Sequence, residues 1–214
     1  MISLIIPTYN RKGLNEKCFT QALKDRSGLE VIWVDDGSTD GTQDILKQFN
    51  PDISILNKNN KGVASAYNQG LKMANGDWIG IMDSDFYMPD NWLSEVKKYL
   101  EREPDVLGIQ IKDFERWCGE KKEDWHIMDF IMGFYICSKE LYNRVGLYNE
   151  GLGWYAPIDI EWNNRAKKFK PEAYCIPDIK IEHIGRGEYD TGEYRDRKTQ
   201  GLYKNPHLDW NSLI

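Results

Sequence analysis

The sequence predicts an α/β fold with a central, mostly parallel sheet flanked by helices. Three observations carry that reading. Short apolar runs recur along the first hundred residues, none of them alternates apolar with polar, and each is followed by a stretch with helical spacing. Unalternating runs are what a strand shows when both of its faces are covered, as helical crossovers cover a parallel sheet.

The first run, "SLIIP" (3–7), precedes a polar stretch expected to be helical. "EVIWV" (30–34) leads into "DDGSTDGTQDILKQF", "ISIL" (53–56) into "GVASAYNQGLKMA", and "WIGIM" (78–82) into "PDNWLSEVKKYL". Four strand–helix units therefore fill residues 1–100. Beyond them, "DVLGIQIK" (105–112) and "DFIMGFYICS" (129–138) are expected as strands, and "SKELYNRV" (138–145) and "IDIEWNNRAKKF" (158–169) as short helices. No internal repeat and no Pro/Gly/Ser-rich linker divides the chain. A single domain over 1–184 follows, with an acceptor half at 101–184. Residues 185–214, rich in Gly, Tyr and charge, form a C-terminal segment expected to be flexible and to close as a lid.

Composition narrows the function. With 34 Asp and Glu against 28 Lys and Arg, the net charge of -6 lacks the basic footprint of a nucleic-acid binder. Cys18, Cys118, Cys137 and Cys175 are far apart and form no CxxC pair, which speaks against a zinc knuckle or a disulfide framework. The apolar start is cut at Pro7, far short of a membrane span. A soluble protein of the cytoplasm, with reduced thiols, is expected.

Ligands of open α/β sheets bind beyond the carboxyl ends of the strands, so the residues just after each apolar run are the candidates. Pro7, Thr8, Tyr9 and Asn10 follow the first, Asp35, Asp36, Gly37 and Ser38 the second, and Asp83, Ser84 and Asp85 the fourth. Acids gathered on one rim repel one another without a counter-charge, which favours a divalent cation or polar ligands there. Asp35 and Asp36 also suit a plainer task, opening a turn and capping the next helix.

The whole pattern resembles the family 2 glycosyltransferases, inverting enzymes of the GT-A fold. The residues that carry it are "SLIIPTYNR", "EVIWVDDGSTDGT" (30–42), "NKGVASAYNQGLKMANGDWIGIMDSD" (60–85), "FIMGFYICSKELYNRVGLYNEGL" (130–152) and "DIEWNNR" (159–165), in the family's order. The resemblance implies a GT-A, Rossmann-like nucleotide-diphospho-sugar transferase fold whose nucleotide-sugar half is 1–100. It implies that Pro7, Thr8 and Tyr9 surround the donor nucleoside, that Asp36 of the Asp35–Asp36 pair holds its base or ribose, and that Asn68 and Ser84 belong to the donor site. Asp83 and Asp85 match the DxD element, which with Mn²⁺ or Mg²⁺ bridges the donor diphosphate. His183 falls where many such enzymes place a third metal ligand, although a lone His is more often a surface or hydrogen-bonded residue.

Inversion requires a base on the acceptor side. Asp159 matches the second acid of the family's Glu–Asp pair and is the expected base, with Glu161 as fallback. Asp159 also fits a bare first-turn helix acid. Ile158 stands where the first acid belongs, and Tyr67 where the family commonly has Arg, so a diphosphate contact is lost or supplied by Lys61, Arg186 or another tail residue. Trp117, Trp125 and Trp154 are candidates for stacking on an acceptor sugar, with Trp154 preferred. The implied reaction moves a sugar from a nucleotide-sugar, UDP-linked by default, to a saccharide or other hydroxyl acceptor. Two rivals stand beside it. A nucleotidyltransferase would want a Gly-rich basic loop where "PTYNRKG" has one Gly, and a non-catalytic nucleotide-sugar or carbohydrate binder is encouraged only by Ile158.

Overall fold

In the computed structural model, the described residues are 1–112, 118–122, 125–128, 133–152 and 158–184. Their strands are β1 (Ile2–Thr8), β2 (Leu29–Asp35), β3 (Ile53–Leu56), β4 (Trp78–Met82), β5 (Phe86–Tyr87), β6 (Val106–Ile111), β7 (Cys118–Lys122), β8 (Trp125–Met128), β9 (Phe134–Ser138) and β10 (Ala173–His183). The helices are α1 (Lys12–Ala22), α2 (Thr42–Phe49), α3 (Val63–Met73), α4 (Trp92–Leu100), α5 (Lys139–Val145) and α6 (Ile158–Lys167). The strands line up as β3-β2-β1-β4-β9-β6-β10-β8-β7, with β5 added to the end of β10.

β1 to β4 are parallel to one another. β9 runs antiparallel to both β4 and β6, and β10 is parallel to β6. The carboxyl ends of β1, β2, β4, β6 and β10 therefore share one rim of the sheet, and β9 starts there.

Both faces of the sheet are covered along β1, β2 and β4, which is why those apolar runs do not alternate. Ile2, Leu4 and Ile6 of β1 pack with Val31 and Trp33 against Leu14 and Phe19 of α1 and Trp92 and Val96 of α4. Ile5, Ile32 and Val34 face the other way, into a core with Ala66 of α3, Leu141 of α5 and Trp162 of α6. Splitting adjacent residues of one strand between two cores is the period of two at work. Pro7, which can donate no ladder hydrogen bond, sits where β1 has run past β4: pairing with β4 ends at Ile5. Helix α5 starts on Ser138, whose hydroxyl accepts from the Leu141 N–H at 3.2 Å.

One expectation needs amendment. β3 is not a buried strand: it lies at the sheet edge, and Leu56 is 51% exposed. The β7–β8 hairpin and the two-residue β5 had no signature in the sequence. His183 is the last residue of β10, a single strand of 11 residues. β10 stays continuous by bulging. Ile176 pairs with Ile109 and Lys180 with Gln110, four steps on β10 against one on β6, and Asp178 inside the bulge accepts a 2.6 Å hydrogen bond from Tyr99 of α4. The segment 185–214, Trp117 and Trp154 lie outside the described residues, as does the side chain of Trp125.

Candidate active site

The parallel ladder delivers Thr8, Asp35 and Asp83 to the same rim, and the small β5–β10 ladder brings in His183. Phe86 pairs with His183, and the Ile184 N–H donates to the Asp85 carbonyl at 3.0 Å. As a result His183 Nε2 stands 3.1 Å from Asp85 Oδ2, although 98 residues separate them. The imidazole also lies against the ring of Phe86, 5.0 Å between centroids.

The two acids of the DxD element live in different environments. Asp85 is largely buried, which opposes its charge, but His183 and then Arg11 outweigh burial and hold its carboxyl below the usual range. Arg11 Nη1 is 3.3 Å from Asp85 Oδ2. Asp83 is pushed up to about 7 by burial and by the charge of Asp85, with Asp159 acting in the same direction; a hydrogen bond from Tyr67 and the presence of His183 pull the other way. The Tyr67 hydroxyl donates to Asp83 Oδ1. On the other side Gly133 (φ +63°) closes on Asp83. A Cβ there would lie 2.3 Å from the Phe86 ring and 3.2 Å from Asp83 Oδ2, so only glycine lets β9 start this close to the acids.

Two carboxylates and an imidazole are a donor set that suits Mn²⁺ or Mg²⁺. Among the described residues, however, no three His, Cys, Asp or Glu side chains are gathered closely enough to hold a metal ion. Asp85 and His183 already meet, while Asp83 is turned onto Tyr67. A cation bound here would draw first on the Asp85–His183 pair, with the half-buried Asp83 behind it.

Residues of the expected nucleoside site are mostly engaged in building it. Thr8 Oγ1 donates to Asp35 at 3.1 Å and accepts from Trp33 Nε1 at 2.7 Å. Asp35, fully buried, also accepts from the Ser38 N–H at 2.9 Å and Gln43 Nε2 at 2.6 Å. The cap of α2 falls instead to Asp40, which accepts from the Thr42 N–H at 3.0 Å. Asp36 accepts from Asn57 Nδ2 at 3.0 Å and from the backbone N–H groups of Lys61 and Gly62 at 3.0 and 2.8 Å, fixing the 57–62 loop beside the rim. Gly37 makes this approach possible: at φ +81°, a Cβ would stand 2.7 Å from the Asn59 carbonyl carbon. Tyr9, by contrast, is 37% exposed. Asn68 is spent on the segment after α5, donating to the Tyr148 carbonyl (3.0 Å) and Glu150 (2.8 Å) and accepting from the Tyr148 N–H (2.9 Å). Ser84 is half-buried between the two acids.

On α6 the two candidate bases part company. Asp159 is half-buried in the first turn, and its charge bears on Tyr67, Asp83 and Tyr135, which puts it in the neighbourhood of the DxD acids. Glu161 is held by Arg165, at 2.7 and 3.0 Å, and Arg165 in turn donates to the carbonyls of Val145 and Leu147. The fallback is thereby a brace between α5 and α6. Ile158, at the position of the absent acid, is buried in the core with Tyr148 and Trp162. Nearby, the hydroxyls of Tyr135, Tyr142 and Tyr148 meet one another, with Trp162 packed across their rings. Neither that cluster nor the contact of Arg11 with Asp85 was visible in the sequence. Tyr67 gave one signal, as the departure from the family's Arg.

The order of elements and the rim geometry agree with what known proteins show. Residues 3–155 match the family described as Glycosyl transferase family 2. The chain belongs to that family. Among family relatives, glycosyltransferase GlyG of Streptococcus pneumoniae serotype 4 is 26% identical over 187 residues, 85% of this chain and 56% of that protein. A chondroitin synthase of Pasteurella multocida is 34% identical over 118 residues, 53% of this chain and 11% of its own length. The chain thus spans little more than half of the first relative and a small part of the second.

Solved glycosyltransferases place this family 2 chain in the GT-A fold. The mannosyltransferase PcManGT from Pyrobaculum calidifontis, in complex with GDP-Man and Mn²⁺, superposes with a TM-score of 0.76 at 24% identity, covering 94% of this chain and 61% of that one. Residues 1–349 of S. aureus TarS, in complex with UDP-GlcNAc, give 0.64 at 19% identity, covering 97% and 67%. Among the described residues no helix is long and apolar enough to cross a membrane.

Proposed function

We propose that this domain transfers a sugar from a nucleoside-diphosphate sugar to an acceptor hydroxyl with inversion at the anomeric carbon. The observation that carries the reading is the meeting of Asp85 and His183 at 3.1 Å on the rim where Asp83 and Asp159 also converge. Asp85 and His183 would hold Mn²⁺ or Mg²⁺, with Asp83 adding charge. When bound, such a cation offsets the diphosphate and stabilises the departing nucleotide. Tyr9 offers an exposed ring at the end of β1 for the base, beside Pro7. Thr8, Asp35 and Asp36 act by setting the walls of the nucleoside pocket and the position of the 57–62 loop.

Asp159 is the base. As the acceptor oxygen bonds to the anomeric carbon and the bond from that carbon to the phosphate oxygen breaks, the hydroxyl proton passes to the Asp159 carboxylate, and the nucleoside diphosphate leaves. Confining that step to a chamber lined by Tyr67 and the buried tyrosines limits the access of water, which would otherwise compete as acceptor. The buried thiols of Cys18, Cys137 and Cys175, none of them in a disulfide, suit a reducing compartment such as the cytoplasm.

The relatives of known structure carry GDP-Man in one case and UDP-GlcNAc in another, so the nucleotide is the first thing to measure. UDP-, GDP- and dTDP-sugars are screened for thermal stabilisation of the purified chain with and without Mn²⁺, because a ligand that binds the native state raises its melting temperature by mass action. The expected result is stabilisation by one nucleotide class, UDP first, that grows with Mn²⁺. Donor binding without turnover across a panel of saccharide acceptors would favour the non-catalytic binder, and no stabilisation by any donor would overturn the reading.

A further inference from the structure

Arg11 has no role in the chemistry described so far, yet two independent features single it out. It occupies the turn between β1 and α1 with φ +66°, directly after Asn10 at φ +57°. Two successive non-glycine residues in the left-handed region are costly, and Arg has no local compensation for it as Asn does. Such strain persists only where the surroundings impose it, and it gathers at functional sites. Here the surroundings are visible. The Asn10 N–H donates to Ser38 Oγ at 2.7 Å and Asn10 Oδ1 accepts from the Thr39 N–H at 2.8 Å, so the β2 loop pins the turn. The second feature is where the pinned turn sends the side chain: onto Asp85, at 3.3 Å, with the two side chains only 19% and 16% exposed.

Another position on the rim departs from the family's pattern. Tyr67 occupies the α3 position at which an arginine is expected, and its hydroxyl goes to Asp83. From these observations, and resting on the proposed function, we infer that Arg11 supplies the lost cation. It pairs with Asp85 and transfers its guanidinium to the donor diphosphate when nucleotide binds. The chemistry supports the exchange. A guanidinium presents several N–H donors in a planar fork, so it can turn from a carboxylate to a phosphate oxygen without losing charge-assisted bonds. It also means that Arg11 and a divalent cation compete for the same carboxylate, since a unit positive charge beside Asp85 opposes the approach of another cation.

The test uses two variants. Arg11→Asn removes the charge while keeping a residue that tolerates the left-handed backbone; Arg11→Lys keeps the charge without the fork. UDP and GDP binding is measured by calorimetry in EDTA, and Mn²⁺ binding is measured separately without nucleotide, on chains checked by circular dichroism. In EDTA, Arg11→Asn should bind the preferred nucleotide roughly tenfold to a hundredfold more weakly, the worth of a charge-assisted hydrogen bond lost. The same variant should bind Mn²⁺ alone about fivefold more tightly. Arg11→Lys should recover most of the nucleotide affinity. Opposite signs for the two ligands are something a merely structural Arg11 would not produce, so weakening of both overturns the inference, as does unchanged nucleotide binding in Arg11→Asn. Failure of the unmodified chain to bind UDP, GDP or dTDP either in EDTA or with Mn²⁺ would instead overturn the proposed function itself.

Discussion

Replacing Tyr67 by Phe isolates one atom of the candidate site. The ring stays, still packed against Tyr148 at 5.1 Å, so the substitution opens almost no cavity. What disappears is the hydroxyl that donates to Asp83 Oδ1. Burial, followed by the charge of Asp83, raises the Tyr67 hydroxyl well above its usual range, so it is a neutral donor throughout the accessible pH range. Asp83 is half-buried and faces the charges of Asp85 and Asp159, and a carboxylate partly withdrawn from water that loses a donor keeps its desolvation penalty. The expected cost is about 1–3 kcal/mol of stability. For a domain of this size each kcal/mol moves the melting temperature by roughly 2–4 °C, so the variant should melt about 2–12 °C lower. The functional arm follows from orientation: with Oδ1 released, Asp83 no longer presents a fixed charge behind the Asp85–His183 pair. Differential scanning fluorimetry with and without Mn²⁺ and UDP reads both effects. The reasoning is refuted by a melting temperature within about one degree of the unmodified chain together with unchanged stabilisation by the ligands.

Asp159→Asn should lower kcat by about 10² or more with donor affinity nearly unchanged, as expected for loss of a general base; turnover like that of the unmodified chain would remove Asp159 from that role. Glu161→Gln should do the reverse, leaving kcat within a few-fold and lowering thermal stability through its broken pair with Arg165, and a large fall in kcat at unchanged stability would restore the fallback base. Asp85→Asn should abolish most of the Mn²⁺-dependent part of nucleotide binding while circular dichroism is unchanged; equal Mn²⁺ dependence in both chains would argue against the metal assignment. Gly37→Ala, which forces a Cβ into the Asn59 backbone at a left-handed position, should cost about 2–4 kcal/mol and loosen the 57–62 loop, detectable as faster hydrogen exchange at Lys61 and Gly62.

The parts of this molecule that sequence makes legible are those decided locally. The runs at 53–56 and 78–82 are the strands residue for residue, because apolar side chains bounded by turn residues leave little choice. Those parts that depend on distant partners are not. "ISIL" carries the same apolar signal as its neighbours, and only the strand order shows that it is an edge. His183 could be suspected as a ligand from its place in the chain, but its contact with Asp85 is made by a ladder of two residue pairs that leaves no periodicity to detect. Glu161 and Asp159 are both acids of the first turn of one helix; what marks Glu161 as the brace is Arg165 and its two carbonyl acceptors on another segment. Arg11 was hidden for a different reason. Arginine does not advertise a left-handed backbone, so local propensity pointed away from the conformation that the neighbouring loop enforces.

The stretch of β10 beyond its bulge makes the candidate rim sensitive to arithmetic. Side chains on a strand alternate faces, so the face shown by His183 depends on whether the count of residues from Lys180, which pairs with Gln110, is odd or even. A single-residue insertion or deletion between Lys180 and His183 reverses it and turns the imidazole away from Asp85, whereas a change of two keeps the parity. Length variation here among related chains is therefore expected in steps of two wherever the histidine is retained. A chain that breaks that rule should also have lost its histidine, or have shifted the pairing of Lys180.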